Sequence, residues 1–227
     1  MNDLDEKKLA HYFDHTLLRA DATEEDIIRL CDEAKTFGFH TVCVNDRWLF
    51  LAAELLEDSD VLVGGVVSLP LGADTTRVKV FQAKEAIFDG ADEIDMVADI
   101  AAIIEANEKY LLEQFQAVCE QCHSMRPPVM FKVIIESAAL NDEQIRFVCG
   151  IANRAGVDFV KTSTGMHPAG GATVEAIQLM KASAPNCKIK AAGGIRTLQQ
   201  ALDMIQVGAE RIGTSSTVFI MEEFRNK

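Results

Sequence analysis

The chain has 227 residues, 48% of them hydrophobic and 25% charged, with a formal net charge of −13 at pH 7. That is enough apolar material for one large globular core. The acidic balance argues against nucleic acid or an anionic membrane as partner, since both require a basic face, yet it leaves room for a small phosphorylated ligand held by local amides and a few lysines.

The opening segment MNDLDEKKLAHYFDHT mixes acids with lysines and has no apolar core of the secretory kind. The longest apolar run, Val61 to Leu71, is broken by glycine, serine and proline and is too short to span a bilayer. Six scattered cysteines in such a chain point to reduced thiols and a cytoplasmic protein.

Strand-like and helical patterns alternate along the whole chain. The segment FDHTLL (13–18) reads as a first strand, and Thr23-Glu-Glu-Asp26 opens a helix whose apolar face carries Ile27, Leu30, Cys31, Ala34 and Phe37 before Gly38 caps it. Further strands are expected at HTVCVN (40–45), VLVGGVVSLP (61–70), EIDMVADI (93–100), VMFKVIIES (129–137), DFVKTST (158–164), KIKAAGG (188–194) and RIGTSS (211–216). Helix boundaries lie between them: Asn141 opens one that stops at Gly156, Pro185 ends another, and Thr197-x-x-Gln200 forms a capping box for a third that closes at Gly208. No linker or low-complexity tract interrupts the series, so residues 1–227 read as a single domain.

A weak repeat sharpens the architecture. Gly38, Gly90, Gly156 and Gly208 each precede a strand, at spacings of 52, 66 and 52 residues. This is about 28 residues per β/α unit, and eight units fill the chain: a single (β/α)8 barrel. The fifth residues after these glycines are Cys43, Asp95, Lys161 and Gly213, on the even strands. Side chains from alternate strands form layers inside a barrel, so these four are expected inside at a similar height.

The functional signal is charge inside apolar strands: Asp95, Lys132, Lys161 and Lys190. A lone strand lysine is ordinarily a solvent-facing end or half of an ion pair. Four charges, each placed toward the C-terminal half of its strand, suggest a barrel active site, because burying them without function costs several kcal/mol per ion. An amine attacks a carbonyl only when deprotonated, and a free lysine near a pKa of about 10.4 is almost wholly protonated at neutral pH. Desolvation and a neighbouring cation favour the amine, which is the setting expected for Lys161 with Lys190 one strand away. An acid such as Asp95 could move the protons that imine chemistry needs. Thr164-Gly165, Gly193-Gly-Ile-Arg196 and Gly213-Thr-Ser215-Ser216 follow the last three strands, and their amides, with a short helix after Ser216, suit a phosphate.

Other features carry less. Cys119-x-x-Cys122-His123 matches a haem-attachment pattern but ends an amphipathic helix, where ordinary packing is the better reading. His15, His40 and His167 lack metal-ligand spacing and read as structural or surface residues. Trp48 carries no signal, and Cys43 is expected to line the pocket passively.

Taken together, the segments DHTLL (14–18), TVCVN (41–45), SLPLG (68–72), ADEIDMV (91–97), KVIIE (132–136), FVKTSTG (159–165), GGAT (170–173), KAAGGIRT (190–197) and RIGTSS (211–216) resemble the deoxyribose-phosphate aldolases, in order and over nearly the whole chain. The resemblance implies a class I aldolase that reversibly cleaves 2-deoxyribose 5-phosphate to glyceraldehyde 3-phosphate and acetaldehyde, with no metal and no cofactor. Its partners would be a small sugar phosphate and aldehydes, and it allows a homo-oligomer. It further implies that Lys161 forms the Schiff base, that Asp95 and Lys190 exchange protons, that Asp14, Thr16 and Lys132 support them, and that Gly165, Gly193, Gly194, Ser215 and Ser216 bind phosphate. The chain departs from the pattern at Met166, where members often carry Phe or Lys, and in its Met166-His-Pro-Ala169 loop. Some members also carry a C-terminal tyrosine that assists proton transfer, whereas the last tyrosine here is Tyr110. Two other readings compete: a different Schiff-base barrel enzyme such as a transaldolase, and a catalytically silent sugar-phosphate-binding barrel. Lys161, Asp95 and Lys190 together count against the silent barrel.

Overall fold

Eight parallel strands close on themselves in chain order: β1 (Phe13–Leu17), β2 (Thr41–Val44), β3 (Leu62–Val67), β4 (Glu93–Val97), β5 (Met130–Ile134), β6 (Phe159–Lys161), β7 (Lys188–Ala192) and β8 (Arg211–Thr214), which pairs back to β1. The computed structural model describes residues 4–226. Helices run between successive strands, giving the expected (β/α)8 TIM barrel. The anticipated caps are present. Thr23 and Asp26 form a capping box, Asn141 and Gln144 another, and Thr197 and Gln200 a third, while Gly38 and Gly156 end their helices in left-handed conformation.

Every expected strand exists, but each ends earlier at the C-terminal side. β4 stops at Val97 and β5 at Ile134, yet the next residues, Ala98 and Ile135, are buried and donate single hydrogen bonds to Ile134 O and Lys161 O. The chain there stays extended and apolar after the regular ladder has ended, so alternation alone overruns the boundary.

The strands are apolar on both faces because helices cover the outside and other strands the inside. Val42, Val44, Ile94, Met96, Phe131, Val133, Val160, Ile189 and Ile212 join the main apolar cluster with helical residues such as Leu30, Phe115, Val118 and Ile177. Cys43, Val66, Val97, Ile134, Phe159 and Ala192 are equally buried but stand apart from that cluster, alternating with it along each strand as the inward set. Cys119 and Cys122 lie in the helix Glu108–His123, and burial pushes both thiols up to about 12. They are inert packing residues. No helix among the described residues is long and apolar enough to cross a membrane.

Candidate active site

Three lysines converge on one carboxylate inside the barrel. Asp95 Oδ1 accepts from Lys132 Nζ at 2.8 Å, and its Oδ2 accepts from both Lys161 Nζ and Lys190 Nζ at 2.7 Å. Strand register brings them together: Asp95 is paired with Lys132 across β4 and β5, and Lys161 with Lys190 across β6 and β7. Burial opposes the charge on Asp95, but the surrounding ammonium groups hold its carboxyl well below the usual carboxylate range. For Lys190, burial acts against the ammonium, yet Asp14 and Asp95 win and raise it well above an ordinary lysine.

The lysines are not equivalent. Lys132 also pairs with Glu93 at 2.6 Å, and Lys190 with Asp14 at 2.5 Å. Lys161 has Asp95 as its sole carboxylate partner among the described residues. Depth separates them too. Asp95, Lys132 and Lys190 occupy the middle of five-residue strands rather than the C-terminal half expected from sequence. Only Lys161 ends its strand, because β6 is three residues long, while β7 beside it runs two residues further.

That position opens Lys161 to a cavity of about 450 Å³ at the C-terminal mouth of the barrel, which Asp95, Lys132 and Lys190 do not line. Thr16, Gly165, Gly193, Gly194, Ser215 and Ser216 line it, as expected, and Arg19, Met166 and Arg196 join them. Asp14, Cys43 and Lys132, expected among the substrate-binding groups, are buried beneath it. Asp14 and Lys132 are engaged with other charges of the cluster, and burial raises the Cys43 thiol pKa, keeping it a passive wall. Thr16 Oγ1 donates to Asp14 O at 2.9 Å, joining the cavity wall to this layer. Gly213, the fourth residue of the repeat, makes room for a lysine: a Cβ there would lie 3.1 Å from Lys190 Cε.

The anion-binding end is assembled from turns. The N–H groups of Gly165, Gly193, Gly194 and Ser215 donate to no group among the described residues. The helix Thr217–Arg225 starts here, and its N-cap Ser216 makes no side-chain capping bond. Ser216 N is already committed to Thr214 Oγ1 at 3.0 Å, so this residue offers its hydroxyl rather than its amide. Helix N-termini and free amides favour anions.

Sequence reasoning missed the lower tier of the cluster. Glu93 opens β4 and Arg211 opens β8, both at strand starts where a charged residue ordinarily faces solvent. Here Arg211 approaches Asp14 at 3.5 Å and Glu93 at 3.9 Å and contacts His40. Burial and Arg211 lower the His40 pKa to about 4, keeping the ring neutral. Asp14, His40 and Glu93 bring potential ligand atoms within 4.8 Å of one another, but Lys190, Lys132 and Arg211 already supply the positive charge at that point. Also missed was Glu136, left-handed at φ 55° and buried, which accepts from Thr164 Oγ1 at 2.6 Å and so pins the turn before Gly165. A carboxylate closing a strand gave no sign of that role.

The comparisons with known proteins agree with one another. A family model described as DeoC/LacD family aldolase matches residues 8–217. A deoxyribose-phosphate aldolase of Thermococcus gammatolerans is 50% identical over 221 residues, covering 96% of this chain and 97% of that protein. One from Geobacillus sp. is 47% identical over 218 residues, covering 96% of each. Among solved structures, the tetrameric deoxyribose phosphate aldolase of Aeropyrum pernix superposes with a TM-score of 0.90 at 30% identity, over 97% of this chain and 92% of that one.

Proposed function

This chain belongs to the DeoC/LacD family of aldolases and is a carbon–carbon lyase that cleaves deoxyribose phosphate, and from that premise we propose that it works through an imine on Lys161, without a metal or cofactor. The observation that carries this reading is the position of Lys161: it alone among the clustered lysines reaches the cavity, 2.7 Å from Asp95.

The chemistry follows from the charges. The Lys161 amine adds to the aldehyde carbon of open-chain deoxyribose 5-phosphate. Lys190, held as an ammonium by Asp14 and Asp95, can supply the proton with which the carbinolamine hydroxyl leaves as water. The protonated imine then accepts the electron pair of the C2–C3 bond as the C3 hydroxyl loses its proton, releasing glyceraldehyde 3-phosphate and leaving an enamine. Protonation at C2 and hydrolysis free acetaldehyde and restore Lys161. Asp95, kept as a carboxylate, steadies the cationic intermediates and holds Lys161 and Lys190 side by side on one oxygen.

The turns carrying Gly165, Gly193, Gly194, Ser215 and Ser216 would receive the phosphate, with Thr16, Asp14 and Lys132 supporting the reacting end. The single barrel would be the catalytic domain. A homo-oligomer in the cytoplasm is part of the same reading, in line with the Aeropyrum pernix tetramer.

Incubation with acetaldehyde and borohydride should add a two-carbon group to the peptide bearing Lys161. A label on Lys190 or Lys132 instead would overturn the assignment. Ser216→Asp should lower the rate on deoxyribose 5-phosphate about tenfold more than on unphosphorylated deoxyribose, because the new carboxylate repels the phosphate at close range. Equal losses on both substrates would assign Ser216 to the barrel frame.

A further inference from the structure

The charged groups inside the barrel can be counted. On the negative side stand Asp14, Glu93 and Asp95, all buried. On the positive side stand Lys132, Lys190 and Arg211, and then Lys161. Three carboxylates match three cations only if the fourth basic group carries no charge. The pairings indicate which one that is. Lys132 and Lys190 each hold two carboxylates, and a guanidinium stays protonated in proteins. Lys161, with Asp95 alone and that oxygen already shared with Lys190, is the group left over.

We propose that Arg211 is a positioning residue for the reaction: as the third fixed cation beneath the lysines, it uses up carboxylate charge and leaves Lys161 as the free amine. The inference rests on Lys161 being the imine-forming residue. Arg211 is well placed for this. It approaches both lower carboxylates, its guanidinium lies 5.6 Å from the Phe159 ring centroid, and its side chain is 13% exposed, so solvent screens its charge only weakly. Without Arg211, Asp14 and Glu93 would hold a surplus negative charge that a protonated Lys161 neutralises. Glu93 acts in the opposite sense. Removing its charge leaves a surplus positive charge that a protonated Lys161 would worsen.

Glu136, a further buried carboxylate beyond the end of β5, accepts from Thr164 N and Oγ1 and forms no ion pair with a lysine or arginine among the described residues. It stands outside this count, which the remaining groups around the layer do not disturb. On β2, the Cys43 thiol is pushed up by burial, and His40 before that strand is neutral. β3 contributes only Gly64 and Val66 to the interior beside these charges. At the mouth, Arg19 is paired with Asp21 and Asp26, and Arg196 is exposed.

The test is the pH dependence of Lys161 labelling by acetaldehyde and borohydride in the full chain. Arg211→Gln should move the midpoint of the acid limb upward by about one to two pH units, the range for losing a nearby charge in a buried site. Glu93→Gln should move it downward. The double variant Glu93→Gln/Arg211→Gln should return it close to the parent, and Arg211→Lys should preserve it. Equal-direction or absent shifts, with Lys161 still labelled, would overturn the role of Arg211. Labelling of another lysine in the parent would overturn the Lys161 assignment itself. If Arg211→Gln does not fold, Glu93→Gln decides: an unchanged or raised midpoint is the overturning result.

Discussion

Replacing Asp95 with asparagine should reduce the rate by about 10³-fold, within the range for a positioned acid–base group, and destabilise the barrel by about 3–5 kcal/mol, as expected when one partner of a buried charge cluster is removed. Asparagine keeps the shape but not the charge on which the amino groups of three lysines converge at 2.7–2.8 Å. The pH dependence separates this from a general packing defect. The Asp95 carboxyl is held well below its ordinary value of 3.8, so its contribution is complete above that value and is lost as pH falls further. Lys190 is raised above its ordinary 10.5, so its contribution is complete below that value and is lost as pH rises through the raised one. Denaturant midpoints of parent and variant should differ by a constant amount from about pH 5 to 9 and draw together below about pH 4, where the parent loses what the variant never had. A gap that persists unchanged into acid would mean that shape, not charge, accounts for the loss.

Which parts of this cluster could be read beforehand follows from where each charge sits in its strand. Asp95, Lys132, Lys161 and Lys190 interrupt apolar runs, and an ion in such a run has few uses other than function or a buried pair. The period of the capping glycines gave away the barrel because each β/α unit must start and stop its helix with local chemistry. Glu93 and Arg211 were hidden for the converse reason: each begins a strand, the usual place for a charge that reaches water. Only closure of β8 onto β1 places Arg211 beside Asp14, and no local pattern encodes that contact. The depth of the lysines was also illegible. The order Lys132, Lys161, Lys190 from β5 to β7 says nothing of which one β6 releases into the cavity by ending after three residues. The same limit applied to Gly171, which the sequence marks as part of a family-like segment without indicating what it touches.

Gly171→Ala should lower activity on deoxyribose 5-phosphate by about 10²-fold, the order expected when a binding group is displaced by about 1 Å, while acetaldehyde still forms an imine on Lys161. A Cβ at Gly171 would lie 2.1 Å from Gly193 O, 2.4 Å from Gly193 C and 2.8 Å from Gly193 Cα. These are backbone atoms and cannot swing aside like a flexible side chain, so one of the two segments must move. The adjoining residue resists that motion, because Ala172 N donates to both Ala192 O and Gly193 O at 3.1 Å. Pushing the two strands of chain apart therefore either breaks that bond or carries the Gly193–Gly194 turn out of the position where its amides face the cavity. Lys161 lies on the neighbouring strand β6, held by Asp95 rather than by this turn, and its chemistry with a two-carbon aldehyde does not need the phosphate. The check is a pair of rates on the same preparation: kcat/KM for deoxyribose 5-phosphate and borohydride trapping with acetaldehyde. A fall in the first alone places Gly171 behind the phosphate turn, whereas parallel falls would mean that the substitution disturbs the barrel as a whole and that the turn is not its specific target.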